Sequence, residues 1–170
     1  MSTYSTDVAR VKSAESTHEE IQTWINLHQA IRVIEARLEE RLRAEVDLSW
    51  ADFETLMRLR ISAGHPMQMS EMAAQLVGSP SGTTRIADRL ERAGLIERET
   101  PRDNRRIVLV QLTESGRRVL AKAERVFRAA LEESFGTHLS RNDVMQLRQL
   151  MRQLLEGNGA WQEARCSPPL

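Results

Sequence analysis

The segment 67–116 constrains the fold of this chain most, because helix, turn and strand signals follow one another in it without a long loop. A short helix is predicted from Ser70, as its N-cap, to Gly78. A second helix is predicted to start at Ser79-Pro80, since serine is favoured at the N-cap and proline in the first turn, and to end at Gly94. Two helices joined by a tight glycine-containing turn are typical of a helix-turn-helix.

Two strands are predicted after this pair of helices. Apolar and β-branched residues in Leu95–Arg98 and Ile107–Leu112 indicate the strands, and the charged segment Pro101–Arg106 indicates the turn between them. The order helix, turn, helix, strand, basic loop, strand is that of a winged helix. The predicted fold class is therefore mainly α with a small β-wing.

Long amphipathic helices flank the predicted winged helix. Apolar residues recur at helical spacing from His18 to about Val46, and again after the predicted N-caps Thr113 and Ser140. A further helix, capped by Ser49, is predicted to lead into the helix-turn-helix. The flanking helices are too long for one small winged helix to cover. We therefore expect two copies of the chain to intertwine through them as a homodimer, with a monomeric bundle as the alternative.

The expected organisation has five parts. They are a polar N-terminal arm (1–17), an N-terminal dimerisation helix (18–47), a winged helix-turn-helix DNA-binding domain (48–112), C-terminal dimerisation helices (113–156) and a flexible tail (157–170).

Several function classes are disfavoured by what the sequence lacks. The one cysteine, Cys166, has no partner for an internal disulfide, and no cysteine–histidine cluster could hold a metal. The sequence contains no glycine-rich phosphate loop, no nucleophile elbow and no paired metal-ligand spacing, so we expect neither enzymatic activity nor a cofactor. With no apolar run long enough to span a membrane and no signal peptide, we expect a cytoplasmic protein without a membrane partner.

The charge of the chain is unevenly distributed. Lys+Arg and Asp+Glu both number 24, and the resulting formal net charge of zero by itself argues against a nucleic-acid partner. Residues 19–54, however, carry 4 basic and 9 acidic side chains, a net of −5, whereas residues 85–128 carry 12 and 7, a net of +5. Because the local field decides whether a phosphate backbone is attracted, the basic half remains suited to nucleic acid.

The segment from about Leu48 to Gly116 resembles the MarR family of bacterial transcriptional regulators. The residues that carry the resemblance are Met69–Leu76, Ser79–Arg85, Asp88–Arg98, Pro101, Asp103, Arg105, Arg106 and the closing Leu112-Thr113-x-x-Gly116. The resemblance implies a homodimer whose two winged helices bind double-stranded DNA at a pseudo-palindromic site. The recognition helix would enter the major groove of each half-site, and the wing tip would reach the minor groove.

We expect DNA contacts from the recognition helix and from the wing. Hydroxyls and backbone N–H groups at the helix start suit phosphates, and two arginines four residues apart share one helix face. In the wing, Arg105 resembles the family's minor-groove arginine, and Asp103 is expected to pin it by a charge-assisted hydrogen bond. For Arg92 and Arg98 we expect solvation or an internal ion pair. The expected DNA-binding residues are Ser79, Ser81, Thr83, Thr84, Arg85, Arg89, Arg102, Asp103, Arg105 and Arg106.

The resemblance also implies a small aromatic or anionic effector. Many members of that family release DNA when such a ligand binds between the arms and the winged helix. An aromatic wall with one arginine suits such a ligand. Trp24 fits the apolar stripe of its own helix equally well, and His28 fits a helix interface. The expected ligand-binding residues are Trp24, His28, Arg32, Trp50, Asp52 and Phe53.

The urate-responsive members of that family suggest a switch. In them, an acidic residue ahead of the helix-turn-helix is coupled to an arginine of the recognition helix, and Asp52 and Arg85 lie in similar places here. We therefore expect these two residues to pair. Those members also carry a tryptophan in an extra N-terminal helix, whereas residues 5–16 of this chain contain none.

The expected function is that of a dimeric, ligand-released regulator, a repressor rather than an activator. One alternative is a redox-responsive regulator of the same fold. Cys166 lies in a proline-containing tail, however, which is typical of an incidental exposed thiol. Another alternative is a winged helix that binds protein without a ligand, but such a module has no need for three arginines around one aspartate in its wing.

Overall fold

The computed structural model describes residues 16–62, 65–76 and 80–162, with only the backbone of residues 80 and 81. Within them lie six α-helices, three strands and one short 3₁₀ helix. In chain order these are α1 (His18–Val46), α2 (Trp50–Ile61), β1 (Met67–Gln68), α3 (Met69–Gln75), α4 (Pro80–Arg92), β2 (Ile96–Glu99), β3 (Leu109–Leu112), α5 (Glu114–Ser134), the 3₁₀ helix (Gly136–His138) and α6 (Arg141–Gly157). The predicted helices and the two predicted strands occur in the expected order, with β1 and the 3₁₀ helix in addition.

Three of the predicted helix caps are confirmed. Ser49 begins α2 and Ser140 begins α6, each with a capping box in which the serine and an aspartate three residues later satisfy each other's backbone N–H. The Thr113 side chain begins α5 by accepting from the N–H of Gly116.

The predicted cap at Ser70 is wrong. The N-cap of α3 is Gln68, which makes no side-chain cap bond. The chain enters α3 directly from β1, and the N–H of Met69 donates to the carbonyl of Val108 at 2.9 Å. Strand pairing therefore fixes where this helix begins, and no side-chain cap is required.

The three strands form one antiparallel sheet in the order β1-β3-β2. Two of them were predicted, and β1 was not, because two residues are too short to show an alternating pattern. In the register, Met67 is opposite Val110 and Ile96 is opposite Leu112. Residues 107 and 108, predicted as strand, belong to the loop instead, since the N–H of Ile107 donates to the carbonyl of Asn104 in a turn.

Two glycines fix the end of α4 and the close approach of α5 to the residue that follows it. Gly94 has φ +68, which glycine adopts without strain, and the N–H of Leu95 donates to the carbonyl of Leu90 across the helix end. At Gly116 a Cβ would lie 1.9 Å from the carbonyl oxygen of Leu95, so only glycine allows α5 to pass so close. These contacts place the wing and α5 relative to α4.

The contacts divide the chain into two units, Met1–Val33 and Ile34–Leu170. The second unit contains a core of buried side chains from α2, α3, α4, the sheet and α5, with Phe53, Leu56 and Met72 fully buried. Burial of this apolar surface is the main stabilising contribution to the winged helix.

The described part of the first unit is the beginning of α1, and its large apolar side chains are exposed. The exposed ones are Ile21, Trp24, Ile25, Ile31 and Val33. In the second unit, α6 also exposes three large apolar side chains, those of Met145, Leu150 and Leu154. Isolated exposed apolar residues are ordinary on protein surfaces, but several on one helix are typical of an interaction face.

Candidate nucleic-acid interface

The first turns of α4 present a mixed surface. The side chains of Thr84 and Arg85 are exposed. Thr83 is only 2% exposed, so the prediction that its side chain contacts DNA is wrong. On a helix, residue 83 lies on the same side as Ala87 and Leu90, which face the core. The predicted contact Ser79 and the side chain of Ser81 lie outside the described residues.

The wing loop between β2 and β3 presents three arginines to solvent. Arg102, Arg105 and Arg106 are all exposed, as is Asp103. The loop is shaped by its own turns, in which the N–H of Asn104 donates to the carbonyl of Pro101 and the N–H of Arg106 donates to Asn104 Oδ1 at 3.1 Å. The loop is thus closed by its own turns, and its basic groups remain exposed to solvent.

The predicted bond between Asp103 and Arg105 is wrong for the protein without DNA, because no ion pair or hydrogen bond joins the two in the part of the chain that the structure describes. Both side chains are exposed, and an ion pair in water gains little over solvation and loses side-chain freedom. Arg105 is therefore not pinned, and its guanidinium is available to a ligand.

One side of α4 is held by an ion pair to α2. Arg89 Nη2 lies 2.5 Å and Nε 3.0 Å from Asp52 Oδ1, and Nη2 also donates to Ser49 Oγ at 3.3 Å. Asp52 Oδ2 accepts from the N–H of Ser49 at 2.9 Å and from its hydroxyl at 2.6 Å. Both carboxylate oxygens are thus satisfied, which allows Asp52 to be only 3% exposed.

The predicted switch pair of Asp52 with Arg85 is wrong, since the partner of Asp52 is Arg89, one helical turn later. Arg85 is exposed one turn nearer the start of α4, and no hydrogen bond or ion pair joins it to Asp52 in the described residues. The prediction missed the partner because the two arginines differ by one turn and the sequence alone does not specify which of them faces α2.

The other side of α4 is held by Arg98 of β2. Its Nη1 lies 2.7 Å from Asp88 Oδ1 and 3.5 Å from Glu91 Oε2, and its Nη2 donates to the carbonyl of Thr84 at 3.5 Å. The internal ion pair expected for Arg98 is therefore confirmed. Arg92, in contrast, is exposed, and its Nε donates only within α4, to the carbonyl of Asp88.

A cavity of about 320 Å³ lies beside the Arg89–Asp52 pair. Its charged lining comes from Arg43, Asp47, Asp52 and Arg89. Its apolar lining comes from Val46, Leu48, Leu90, Ala93, Leu95 and Val119. A volume of this order, with apolar walls and a few convergent charges, suits a small ligand. Sequence reasoning missed these apolar wall residues because in the sequence they are indistinguishable from core positions.

Of the six residues predicted to bind an effector, only Asp52 lines this cavity. Phe53 is fully buried, so its place in the predicted ligand wall is wrong, and it contacts the rings of Trp50 and Phe127 at centroid distances of 5.8 and 5.0 Å. Trp50 likewise packs on Phe127 at 5.9 Å. These rings are core partners, since stacked aromatic side chains stabilise a core by their contact area.

The other three predicted effector residues lie on the first unit of the chain. Trp24 is 64% exposed, and its ring centroid lies 5.9 Å from that of His28. Arg32 is exposed one turn further along α1. Cys166, on which the redox alternative depends, lies outside the described residues.

No helix in residues 16–62, 65–76 and 80–162 is long and apolar enough to cross a membrane. In the same residues, no group of three or more histidine, cysteine, aspartate or glutamate side chains is placed to hold a metal ion.

Comparison with known proteins agrees with this geometry. Residues 48–108 match the model of the MarR family. The transcriptional repressor MprA of Escherichia coli K12 is 31% identical over 151 residues, which cover 85% of this chain and 84% of that protein. The chain belongs to the MarR family.

Solved structures of MarR-type regulators share the fold. Sco3205, a MarR family transcriptional regulator from Streptomyces coelicolor solved in complex with DNA, has a TM-score of 0.76 and 24% identity, over 84% of this chain and 93% of that one. The organohalide-sensing regulator RdhR-CbdbA1625, solved with 2,4-dichlorophenol, has a TM-score of 0.74 and 20% identity, over 88% of each chain. This MarR family chain thus has the winged-helix fold of these regulators.

Proposed function

We propose that this MarR family regulator is a homodimeric repressor that reads a pseudo-palindromic operator and releases it when a small aromatic or anionic ligand binds. One observation carries the DNA-binding part of the proposal. The guanidinium groups of Arg85, Arg102, Arg105 and Arg106 are exposed, and none of them is held by a hydrogen bond or ion pair within the described residues. The relatives named above support it, one as a repressor and one as a regulator bound to DNA.

The recognition helix and the wing have separate roles in this proposal. Arg85 enters the major groove on α4, where an arginine can donate two hydrogen bonds to a guanine. Arg105 enters the minor groove, whose negative potential attracts arginine most where the groove is narrow. Thr84, Arg102 and Arg106 contact phosphates or bases beside them. Arg89, which was also expected to bind DNA, is instead held by Asp52 and Ser49.

The homodimer is supported by the exposed apolar residues of α1 and α6. A second copy of the chain would cover them, as a closed two-fold interface uses the same surface on both subunits. We therefore assign residues 18–47 and 113–156 to dimerisation and residues 48–112 to DNA binding. Sedimentation equilibrium is expected to give the mass of two chains.

The cavity beside Arg89 is the candidate effector site. An anion that entered it would compete with Asp52 for the Arg89 guanidinium, while the apolar walls would accept an aromatic ring. Loss of the bond between α2 and α4 would then change the position of the recognition helix. The dichlorophenol complex of RdhR-CbdbA1625 supports a ligand of this class.

The DNA-binding proposal is tested with a duplex selected from a random-sequence pool by the wild-type protein. Arg105→Ala is expected to weaken binding of this duplex about tenfold and to lower the slope of log Kd against log salt by about one unit per wing. Fluorescence anisotropy at several salt concentrations measures both.

Arg118→Ala is the matched control, because it removes a similarly exposed arginine of the basic region that lies outside the wing. It is expected to leave the affinity and the salt slope near their wild-type values. An unchanged salt slope in Arg105→Ala would overturn the assignment of the wing, and failure of the wild-type protein to select any duplex would overturn DNA reading as a whole.

A further inference from the structure

Arg98 lies where the wing and the recognition helix meet. It belongs to β2, opposite Val110 of β3, and the same strand continues into the wing loop. Its side chain points toward α4, as does that of Ile96, because alternate residues of a strand share a face. Its side chain makes hydrogen bonds and ion pairs that join β2 to α4.

Three successive turns of α4 contact this one guanidinium. Thr84, Asp88 and Glu91 are spaced four and three residues apart, so they lie on one face of the helix. The Thr84 carbonyl, the Asp88 carboxylate and the Glu91 carboxylate lie 3.5, 2.7 and 3.5 Å from the Nη atoms of Arg98. A planar guanidinium can hold several acceptors at once in fixed directions, which a lysine ammonium on its flexible stem does less well.

These contacts are too exposed to contribute much to stability. The side chain of Arg98 is 21% exposed, but those of Asp88 and Glu91 are 48% and 41% exposed, and ion pairs whose carboxylates lie half in water contribute little to the free energy of unfolding. What the contacts do fix is the separation and rotation of two elements that must enter two different grooves of one duplex.

We propose that Arg98 is a positioning residue that sets the wing at the distance from the recognition helix at which both grooves are entered together. The inference rests on the proposed function, in which Arg105 enters the minor groove. Without Arg98, the wing would move relative to α4, and a complex held by the helix alone would place Arg105 poorly.

A double-mutant cycle between Arg98→Gln and Arg105→Ala tests this proposal on the selected duplex. In the wild-type background, Arg105→Ala is expected to raise Kd about tenfold. In the Arg98→Gln background the same change is expected to raise Kd less than about threefold, because the wing no longer sits in its groove. If Arg98 acted in folding alone, Arg98→Gln would lower the melting temperature, and Arg105→Ala would still raise Kd about tenfold in its background.

Arg92→Gln is the control for loss of a charge. It removes an arginine of α4 that bonds only within its own helix, so the tenfold effect of Arg105→Ala is expected to persist in its background. Arg98→Lys is the second variant, which keeps the charge and serves if Arg98→Gln does not fold. A single lysine ammonium does not contact all three turns of α4. In the Arg98→Lys background, the fold-increase in Kd caused by Arg105→Ala is therefore expected to lie between those in the wild-type and Arg98→Gln backgrounds.

A further variant separates positioning from electrostatic repulsion. Arg98→Gln leaves the Asp88 and Glu91 carboxylates without their counterion near DNA phosphates. Adding Asp88→Asn and Glu91→Gln removes that repulsion but does not restore the link, so the effect of Arg105→Ala is expected to remain small. Restoration of the full tenfold effect in this variant would overturn the positioning role.

The outcomes also separate this inference from the proposed function. If Arg105→Ala has no effect in the wild type, the assignment of the wing fails and with it the basis of the inference. If Arg105→Ala raises Kd tenfold both in the wild-type and in the Arg98→Gln background, the wing binds DNA as proposed and Arg98 does not position it.

Discussion

The two sides of the recognition helix are held by ion pairs of opposite construction. Toward α2, the helix supplies the cation, Arg89, and its partner Asp52 is buried at 3% exposure. Toward the wing, the helix supplies the carboxylates of Asp88 and Glu91, and the cation is Arg98 of the neighbouring strand. The first side thus has a desolvated carboxylate within the domain, and the second has a cluster partly in water.

This difference suggests different roles for the two sides. Removing one partner of a buried pair is costly because the network around it loses its hydrogen bonds, whereas removing one partner of an exposed pair costs little. The α2 side is therefore expected to control stability and the response to a ligand in the adjacent cavity. The wing side is expected to control the geometry of DNA binding.

The largest expected effect is that of Asp52→Ala, which removes both the capping box of α2 and the partner of Arg89. We expect the free energy of unfolding to fall by about 2 kcal/mol, because the carboxylate half of the capping box and the buried partner of Arg89 are lost together. Urea unfolding at one fixed protein concentration measures it.

Asp143→Ala is the matched control for this experiment. It removes the aspartate of the same capping box from α6, where Ser140 and Asp143 are exposed. The loss is expected to be clearly smaller than for Asp52→Ala. Equal losses in the two variants would show that the burial of Asp52 adds nothing to its role as a cap.

The second effect concerns the ligand, and the comparison predicts that only the α2 side responds to it. With the wild-type protein, the most effective member of a panel of substituted phenols and benzoates is expected to weaken binding of the selected duplex about tenfold. Arg89→Gln is expected to abolish this release, because the anion loses its cationic partner in the cavity. Arg98→Gln is expected to retain it.

Anisotropy titrations with and without ligand measure the release as a ratio of two Kd values for each variant. If the ligand releases the duplex from Arg89→Gln as well as from the wild-type protein, the cavity beside Arg89 is not the effector site. If no member of the panel releases the duplex from the wild-type protein, aromatic anions are not the effectors and this part of the proposed function fails.

Much of the fold could be predicted because its signals are local. Ser49, Ser140 and Thr113 cap helices through residues only three positions away, and Gly94 ends α4 through its own backbone conformation. β1 and the start of α3 could not be predicted, since they depend on pairing with β3 and with the residue just before it, about forty residues later.

The candidate site was predictable in part for the same reason. Exposure of the wing arginines follows from a loop of charged residues. The burial of Thr83 depends on how α4 is rotated about its axis when it packs on the core. The choice of Arg89 over Arg85 as the partner of Asp52 depends on where along its length α4 meets α2, because residues four apart share a face and differ by one turn along the axis.

The smallest expected effect is a pH-dependent fraying of α6, which sharpens the contrast between buried and exposed capping boxes. Hydrogen bonds from the side chain and backbone of Ser140 lower the pKa of Asp143 below the ordinary value of 3.8. A carboxyl group whose pKa is lowered by folding stabilises the native state above its unfolded pKa, and this contribution is lost as pH falls through the folded pKa. The first turn of α6 is therefore expected to lose protection only below about pH 4.

Hydrogen exchange at the N–H of Ser140, corrected for its intrinsic rate, measures this loss. The N–H of Gly116 is the control, because it donates to the Thr113 hydroxyl, which does not titrate. Parallel loss at both amides would mean that the domain unfolds as a whole in acid and that the exposed box does not act locally.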